Sequence, residues 1–289
     1  TSIIGQRNSN EDEHLIGNIL LQREEFTILA VFDGHNGAEA AQFCKQKIQG
    51  QLIKNIQKSI NETISKAIIQ LDKEFQHPIA GCTLTMAMLN KNQFYAANVG
   101  DARTIYFTDQ VVQATIDHKP NSESEQQRLQ QLGTAVINIQ GIARVGGQIS
   151  VSRAIGDHQY RELGIIPTPD VFKIDVKDVK WIICACDGLF DVLDNEQIAA
   201  IVQTAFGMNY GNGERIEILK NATKLYMKNE VQKGDLLLQK IMQTYLDESR
   251  VSKIHAKMTL VEKICSILTR IAYLLGSTDN ISVVMGKIQ

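Results

Sequence analysis

Acidic residues stand directly after apolar runs in this sequence, a pattern that can hold a metal ion. Residues 28–32 are apolar and lead into Asp33, and residues 181–186 are apolar and lead into Asp187. Each run reads as a buried strand that ends at an acid. Carboxylates gathered at one rim repel each other unless a cation neutralises them. Because oxygen ligands select hard cations, the pattern predicts Mg²⁺ or Mn²⁺ rather than Zn²⁺, provided that the strands share one rim.

A glycine and a histidine follow the first of these acids. Gly34 would let a ligand approach the backbone closely, because it has no Cβ. His35 supplies a group that can change charge near neutral pH. An ordinary strand and turn is the alternative, since Asp and Gly are common turn residues. The further acids of the same pattern are Glu11 and Asp12 in a polar run near the start, Asp101 after the strand-like run 95–99, Asp191 four residues beyond Asp187, and Asp279 before the run 281–285.

The elements that must position these residues follow from hydrophobic periodicity. Two runs of short strands, at residues 1–35 and 82–115, alternate with segments whose apolar residues recur at helical spacing. This grouping predicts an α+β fold in which two antiparallel sheets pack together with helices outside. Regular alternation of strands and helices is missing, which argues against a doubly wound parallel sheet. The predicted helices are 37–57, 59–75, 126–132, 195–205 and most of 207–276; the later strands are 134–139, 171–176, 181–186 and 281–288.

Composition narrows the function classes. The chain has 289 residues, 44% of them hydrophobic, and a formal net charge of −2, which argues against a general nucleic-acid binder. No apolar run approaches the roughly 20 residues that a membrane span needs. The abrupt start, without a secretory leader, suggests a domain cut from something longer. The five cysteines include no Cys-x-x-Cys pair, so we expect buried thiols in a reducing compartment, cytoplasmic or nuclear.

The ordered motifs together resemble the metal-dependent serine/threonine protein phosphatases of type 2C. Any one of them is weak evidence, but eight in the family's order are specific. They extend over nearly the whole chain, from Gly5 to Val284. The motifs are Arg7-x-x-x-Glu11-Asp12, Val31-Phe32-Asp33-Gly34-His35-x-Gly37, Gly81-Cys82-Thr83, Asn98-Val99-Gly100-Asp101-Ala102-Arg103, Asp117-His118-Lys119-Pro120, Val151-Ser152-Arg153-Ala154-Ile155-Gly156-Asp157, Asp187-Gly188-Leu189-Phe190-Asp191 and Asp279-Asn280.

The resemblance implies a four-layer αββα sandwich with two Mg²⁺ or Mn²⁺ ions in the cleft between the sheets. In such enzymes the residue matching Asp33 bridges both ions. The resemblance assigns Glu11 and the Gly34 carbonyl to one ion, and Asp187 and Asp279 to the other. The positions of Asp101 and Asp191 match residues that help to hold a weaker third ion; turn or capping acids are the alternative for both.

Three more residues receive catalytic roles from the resemblance. Asp12 would hold metal-bound water, Arg7 would clamp the substrate phosphate, and His35 would protonate the leaving alkoxide. The chemistry is reasonable in itself, because the planar fork of arginine matches a phosphate and a general acid helps a poor leaving group to depart. A surface ion pair is the alternative for Arg7. We interpret Arg103, Arg153 and Asp157 as structural, and His118 as a residue that orders its loop.

The predicted function is hydrolysis of phosphoserine and phosphothreonine in proteins by a water activated at two metal ions, without a phosphoenzyme. The alternative is a catalytically silent homologue that acts as a binding or regulatory module. Such a homologue should have lost one or more acids, whereas this sequence retains Glu11, Asp12, Asp33, Asp187 and Asp279. A hydrolase of another phosphate ester is a third possibility, but the sequence has no Walker-type phosphate loop.

One segment departs from the family pattern. Residues 207–276 form a longer stretch than the family carries between Asp187 and Asp279, with loops expected around 209–213 and near Gly234-Asp235. We therefore predict a single phosphatase catalytic domain over 1–289, with an added helical hairpin at about 207–276. The hairpin could bind a protein partner or be a plain solvated face. We expect a monomer whose substrate specificity lies in residues 117–144.

Overall fold

A computed structural model describes residues 1–208, 213–242 and 258–288, and its two five-stranded antiparallel sheets confirm the predicted fold class. The strands are β1 (Ser2–Ile3), β2 (Glu13–Leu21), β3 (Glu24–Phe32), β4 (Gly34–His35), β5 (Gly81–Cys82), β6 (Leu84–Leu89), β7 (Gln93–Val99), β8 (Arg103–Phe107), β9 (Val111–Gln113), β10 (Val136–Ile139), β11 (Ile142–Val145), β12 (Ile155–Gly156), β13 (Asp170–Asp175), β14 (Trp181–Ala185) and β15 (Ile281–Lys287).

The strand order defines two large sheets and two small ones. Sheet I has the order β1-β15-β14-β8-β9, and sheet II has the order β13-β7-β6-β3-β2. The short strands β12, β5 and β4 form a three-stranded sheet, and β10 pairs with β11 in a two-stranded ribbon. The ribbon partner β11 and the small sheet were not predicted, because strands of two to four residues carry too little periodicity.

Helices cover the outer faces of both sheets. Ser59 caps the second helix by accepting a hydrogen bond from the Glu62 amide at 3.2 Å, as its capping-box sequence predicts. The helices are α1 (Glu39–Lys54), α2 (Ile60–Glu74), α3 (Glu123–Gln131), the single turn α4 (Asp187–Phe190), α5 (Asn195–Ala205), α6 (Glu214–Met227), α7 (Val231–Met242) and α8 (Leu260–Leu274), with a 3₁₀ helix at His158–Leu163.

Three buried clusters separate the four layers. One lies between the sheets and includes Val31, Phe94 and Cys184. A second lies between sheet II and helices α1 and α2, and a third lies between sheet I and the helices α5, α6, α7 and α8. The order helix, sheet, sheet, helix is therefore the predicted αββα sandwich. All five cysteines are buried thiols, also as expected.

The segment 207–276 differs in detail from the prediction. The expected loop near Gly234-Asp235 is wrong, because both residues lie inside α7; the chain turns instead at residues 228–230. The described part contains the three helices α6, α7 and α8 rather than a hairpin, and α8 packs directly on β15. Most of the loop expected at 209–213 lies outside the described residues. In the described part of the chain, no helix is long and apolar enough to cross a membrane.

Candidate active site

The strand registers bring the predicted acids to one end of both sheets. Glu13 pairs with Phe32 in sheet II, so Asp12 and Asp33, the next residues outward, lie at the same edge. In sheet I, Ala185 pairs with Val283 on one side and with Arg103 on the other. The same edge of sheet I therefore carries Asp187 after β14, Asp279 before β15 and Asp101 before β8.

A cavity of about 490 Å³ opens at this end of the sandwich. Asp33 and Asp187 line it, and one ligand atom each of these two acids and of the buried Cys186 lies within 4.8 Å of the other two. Asp12 is buried at 6% exposure, and Asp191 stands outside the lining at a more exposed position. The predicted site residues that line the cavity are Arg7, Glu11, Asp33, Gly34, His35, Asp101, Asp187 and Asp279.

The electrostatics of the cluster favour a cation. Burial, reinforced by the neighbouring carboxylates, raises the pKa of Asp33 and of Asp187 well above the ordinary aspartate value. Burial is also the main cause that raises the pKa of Asp12 and of Asp101, in each case to about 6. Both carboxylate oxygens of Asp12 and Oδ1 of Asp187 are buried without a hydrogen-bond partner of ordinary geometry among the described residues. Carboxylate oxygens without partners, in a group of acids that repel one another, are the environment that a divalent cation would stabilise.

Gly34 is required by the close approach of two backbone segments. A Cβ on Gly34 would lie 2.3 Å from the carbonyl oxygen of Glu11. The side chain of Glu11 is oriented by two hydrogen bonds that it accepts, one from the Gly37 amide at 3.1 Å and one from the Ser9 hydroxyl at 3.2 Å. The backbone of Gly34 and the carboxylate of Glu11 are thus held side by side on one wall of the cavity.

Cys186 is a neutral thiol rather than a ligand. Burial and the nearby carboxylates raise its pKa well above the ordinary cysteine value. Its sulfur accepts a hydrogen bond from the Ser282 amide at 3.1 Å and donates one to the Asn280 carbonyl at 3.4 Å. Its predicted role as a buried thiol agrees with these contacts, since a hard cation prefers the oxygen atoms beside it.

Asn280 connects the N-terminal segment to the cavity. Its side-chain amide donates to the carbonyls of Ile4 and Ser9 at 2.8 and 2.9 Å, and its oxygen accepts from the Glu11 amide at 2.9 Å. This residue positions Glu11 although the two are 269 positions apart. In the sequence Asn280 stands out only as part of the Asp279-Asn280 motif, because residue type and spacing alone do not reveal a positioning role for an amide side chain.

Arg7 forms an ion pair with a predicted metal ligand. Its Nη2 atom donates to Oδ2 of Asp279 at 2.7 Å, and its Nε donates to the Thr278 carbonyl at 3.2 Å. The side chain of Arg7 is 57% exposed at the cavity mouth. Both earlier interpretations, phosphate clamp and ion-pair arginine, are compatible with this position.

His35 is held by an acid that the sequence analysis interpreted as structural. Its Nε2 lies 2.5 Å from Oδ2 of Asp157, which is fully buried and in the left-handed backbone region with φ of 52°. Burial lowers the pKa of His35, but the hydrogen bond and the charge of Asp157 outweigh it, so the pKa is raised. Asp157 therefore contacts a predicted catalytic residue, and the sequence did not reveal this contact because 122 positions separate the two residues.

The acids proposed for a weaker third ion surround a lysine. The Lys119 ammonium donates to Oδ1 of Asp191 at 3.2 Å. Burial raises the pKa of Asp101, although the charge of Lys119 opposes this shift. Burial lowers the pKa of Lys119, but the charges of Asp101 and Asp191 outweigh it, so the pKa of Lys119 is raised. A cation at this position would have to share both carboxylates with Lys119.

The remaining polar residues of the motifs hold loops in place. Arg103 pairs with Asp117 at 2.6 Å, and Arg153 pairs with the buried Glu125 at 2.7 Å. His118 is buried and lies 3.0 Å from Asp170 through its Nε2 atom, and its Nδ1 accepts from the Gly100 amide. These contacts agree with the structural roles that the sequence suggested.

Comparison with known proteins identifies the family of this chain and agrees with its fold. The family model of Protein phosphatase 2C matches residues 1–231. "Probable protein phosphatase 2C 3" of Paramecium tetraurelia is 30% identical in an alignment of 233 residues that covers 70% of this chain and 76% of that protein. "Probable protein phosphatase 2C 4" of the same organism is 31% identical over 235 residues, covering 70% and 75% of the two chains.

Solved structures share the fold at lower identity. A Caenorhabditis elegans sex determining protein superposes with a TM-score of 0.72 at 22% identity, covering all of this chain and 64% of that one. A serine-threonine phosphatase 2C from Toxoplasma gondii gives a TM-score of 0.69 at 19% identity, covering 99% and 92% of the two chains. The sandwich and its acidic rim define a metal-dependent phosphoester hydrolase. The chain belongs to the Protein phosphatase 2C family of metal-dependent serine/threonine phosphatases.

Proposed function

We propose that this chain is an active enzyme that hydrolyses phosphoserine and phosphothreonine in proteins by direct attack of water, without a phosphoenzyme. The observation that carries the proposal is a group of acids at one cavity whose pKa values are raised by burial and by neighbouring carboxylates. Within this group, both oxygens of Asp12 and Oδ1 of Asp187 are buried without a partner of ordinary geometry among the described residues. A silent binding module would have no need for so costly a cluster. The members of that cluster are Asp12, Asp33, Asp101 and Asp187.

The donor set suits two Mg²⁺ or Mn²⁺ ions. We assign Glu11 and the Gly34 carbonyl to one ion, Asp187 and Asp279 to the other, and Asp33 to both. Asp101 and Asp191 would hold a weaker third ion. When bound, the ions would lower the pKa of a water and offset the negative charge of the phosphoryl group.

The chain's own residues would bind and orient the substrate. Arg7, exposed at the mouth, would turn its guanidinium from Asp279 to two oxygens of the phosphate once a cation takes that carboxylate. His35 would give its proton to the departing serine or threonine oxygen, and Asp157 would hold its ring while it does so. Asp12 would accept a hydrogen bond from the attacking water through a carboxylate oxygen that has no partner of ordinary geometry in the described part of the chain.

The same proposal covers the organisation of the chain. Residues 1–289 would act as one catalytic domain, with the helical insertion at about 207–276 available to a protein partner. We further propose a monomer that acts on phosphorylated proteins and not on nucleic acid, since the net charge is −2.

The experiment is turnover of a phosphoserine peptide and of p-nitrophenyl phosphate, with Mn²⁺ and with EDTA. Asp187→Asn should lower kcat by roughly 10³-fold and weaken Mn²⁺ binding in a calorimetric titration, because it removes a charged ligand. Asp109→Asn is the matched control: Asp109 is 97% exposed and follows β8 at the opposite end of sheet I.

The outcomes separate the alternatives. Activity that needs Mn²⁺ and is lost in Asp187→Asn but not in Asp109→Asn would support the proposal. Saturable Mn²⁺ binding with no turnover of either substrate would favour the silent homologue. Full activity in EDTA would contradict the metal assignment.

A further inference from the structure

The ribbon of β10 and β11 carries three exposed isoleucines beside the cavity. Ile137, Ile139 and Ile142 are 45%, 42% and 50% exposed. They belong to a stretch, residues 129–143, that has no charged side chain. Grouped apolar residues on a surface commonly mark a binding site, whereas single ones need no explanation.

The pairing of the ribbon places these isoleucines on one face. Ile137 pairs with Arg144, and Ile139 pairs with Ile142. Directly paired residues of an antiparallel ribbon share a face, and residues two apart on one strand also share it. The four side chains therefore form a single surface, in which the three isoleucines, here called the isoleucine face, adjoin Arg144.

The opposite face of the ribbon is anchored in the protein. Val145 is fully buried, and Val136 packs with it in a cluster that includes Leu129 and Ile165. The turn at residues 140–141 is closed by a hydrogen bond from the Gly141 amide to Asn138 at 2.9 Å. The isoleucine face is thus a preorganised surface rather than the side of a loose loop.

The isoleucine face continues into the cavity wall. Arg144 lines the cavity and donates to the Gln148 carbonyl, which belongs to another lining residue, at 2.9 Å. A Cβ on Gly147 would lie 3.4 Å from Cδ1 of Ile137 and 3.9 Å from Cδ1 of Ile139. Two of the isoleucines therefore stand against the loop that leads into the cavity.

We propose that the isoleucine face binds apolar side chains of the phosphoprotein substrate that flank its phosphorylated residue. This inference rests on the proposed function, since it concerns the substrate of the same site. From Arg144 to the pair of Ile139 and Ile142 the ribbon extends about 7 Å, the rise of two strand residues. An extended peptide covers that length with two residues. We therefore expect the enzyme to prefer apolar residues at substrate positions about two to four residues away from the phosphoserine.

The first measurement compares two phosphoserine peptides. One carries leucine at positions two to four on both sides of the phosphoserine, and the other carries glutamine there. The native enzyme with Mn²⁺ should show a kcat/KM roughly tenfold higher for the leucine peptide, because partial burial of a few apolar groups is worth about that factor.

The second measurement uses the variant Ile137→Thr/Ile139→Thr/Ile142→Thr. Threonine keeps the β-branched shape that suits a strand while removing apolar surface. The ratio of kcat/KM between the two peptides should fall from roughly ten to about one. The matched control is Ile16→Thr/Leu20→Thr on β2, where the side chains are 63% and 68% exposed; its ratio should equal that of the native enzyme.

The outcomes distinguish this inference from the function on which it rests. If the native enzyme hydrolyses neither peptide nor p-nitrophenyl phosphate, the proposed function fails and the inference fails with it. If it hydrolyses both peptides equally well, or if the triple variant keeps the preference, only the inference is overturned. If the triple variant changes the mass measured by sedimentation but not the ratio of kcat/KM between the two peptides, the isoleucine face is a contact between copies of the chain. That result also overturns the inference.

Discussion

At the scale of single residues, Asp12 shows the energetic cost of the acidic cluster. It is buried, both of its carboxylate oxygens lack ordinary partners among the described residues, and burial raises its pKa to about 6. A pKa that is higher in the folded than in the unfolded state means that protonation stabilises the fold. This contribution is complete below about pH 4, the value of an unfolded aspartate, and is lost as the pH rises through about 6.

Asp12→Asn should therefore stabilise the metal-free protein at high pH. In EDTA at pH 8 we expect the free energy of unfolding to rise by roughly 2–3 kcal/mol, and at pH 4 to stay close to that of the native protein. Urea unfolding at the two pH values checks this, with the exposed Asp109→Asn as control. An equal effect at both pH values would show that the charge of Asp12 is not the cause.

The pair of His35 and Asp157 makes a prediction about leaving groups. Asp157→Asn keeps the size of the side chain but removes the negative charge that orients the His35 ring and favours its protonated form. We expect turnover of a phosphoserine peptide to fall by roughly 10²-fold, the usual contribution of a general acid, and turnover of p-nitrophenyl phosphate to fall much less. The nitrophenolate departs without help, so it does not need the proton.

The control for this prediction is His35→Gln, which should give the same pattern. The double variant should lose no more than either single one, since the two residues act as a unit. Equal losses on both substrates would indicate that Asp157 only supports the fold.

At the scale of elements, the small sheet of β4, β5 and β12 joins the cavity wall at Gly34 to the pair of His35 and Asp157. His35 pairs with Gly81, and Gly156 pairs with Gly81 from the other side. A Cβ on Gly81 would lie 2.3 Å from Oδ2 of Asp157 and 2.6 Å from Nε2 of His35. Three strands of two residues each thus determine where two functional side chains meet.

Gly34→Ala tests the close approach of the Gly34 and Glu11 backbones on the cavity wall. The added Cβ would meet the Glu11 carbonyl at 2.3 Å and force the ends of β2 and β3 apart. We expect affinity for Mn²⁺ to fall at least roughly tenfold, as for other changes that displace a ligand. Calorimetric titration measures it.

Gly50→Ala is the matched control for that substitution. Gly50 lies inside α1, and apart from the backbone of its own helix a Cβ there would meet no described atom within 4 Å. It should leave Mn²⁺ affinity unchanged and stabilise the helix by about 0.5–1 kcal/mol. Native affinity in Gly34→Ala would contradict the assignment of the Gly34 wall to a metal ion.

At the scale of the whole molecule, the helices α6, α7 and α8 belong to the core of sheet I. Tyr226 and Leu219 of α6 are fully buried in the same cluster as Trp181 of β14. Between these helices, the buried Asp235 accepts hydrogen bonds from the Tyr226 hydroxyl and the Arg270 Nε, each at 2.8 Å. These helices therefore contribute to stability whether or not they also bind a partner.

Asp235→Asn should separate stability from catalysis. It leaves the guanidinium of Arg270 without its buried counter-charge, which costs roughly 3–5 kcal/mol. We expect urea unfolding at lower concentration, with kcat per folded molecule unchanged because the cavity lies at the rim and not among these helices. A fall in kcat at native stability would connect the insertion to the site.

Local patterns in the sequence determined most of the elements and the chemistry of the rim. The continuous apolar run in residues 28–32 and the helical spacing in residues 60–74 depend on neighbouring side chains, so they can be read without knowledge of the fold. The acids that follow strands could be recognised in the same way, because a strand's exit is a local feature. The break inside 207–276 was misplaced, since Gly234-Asp235 resembles a loop until Arg270 and Tyr226 supply partners for the acid.

Only the tertiary structure decided which distant residues meet. The ion pair of Arg7 with Asp279, the bond of His35 to Asp157 and the attachment of Asn280 to Glu11 each join residues more than 120 positions apart. The exposed ribbon face with its three isoleucines likewise depends on a register that four-residue strands do not reveal. Sequence patterns reflect the periodic contacts of one element, whereas a site is formed by contacts between elements, and these arise only when the layers pack.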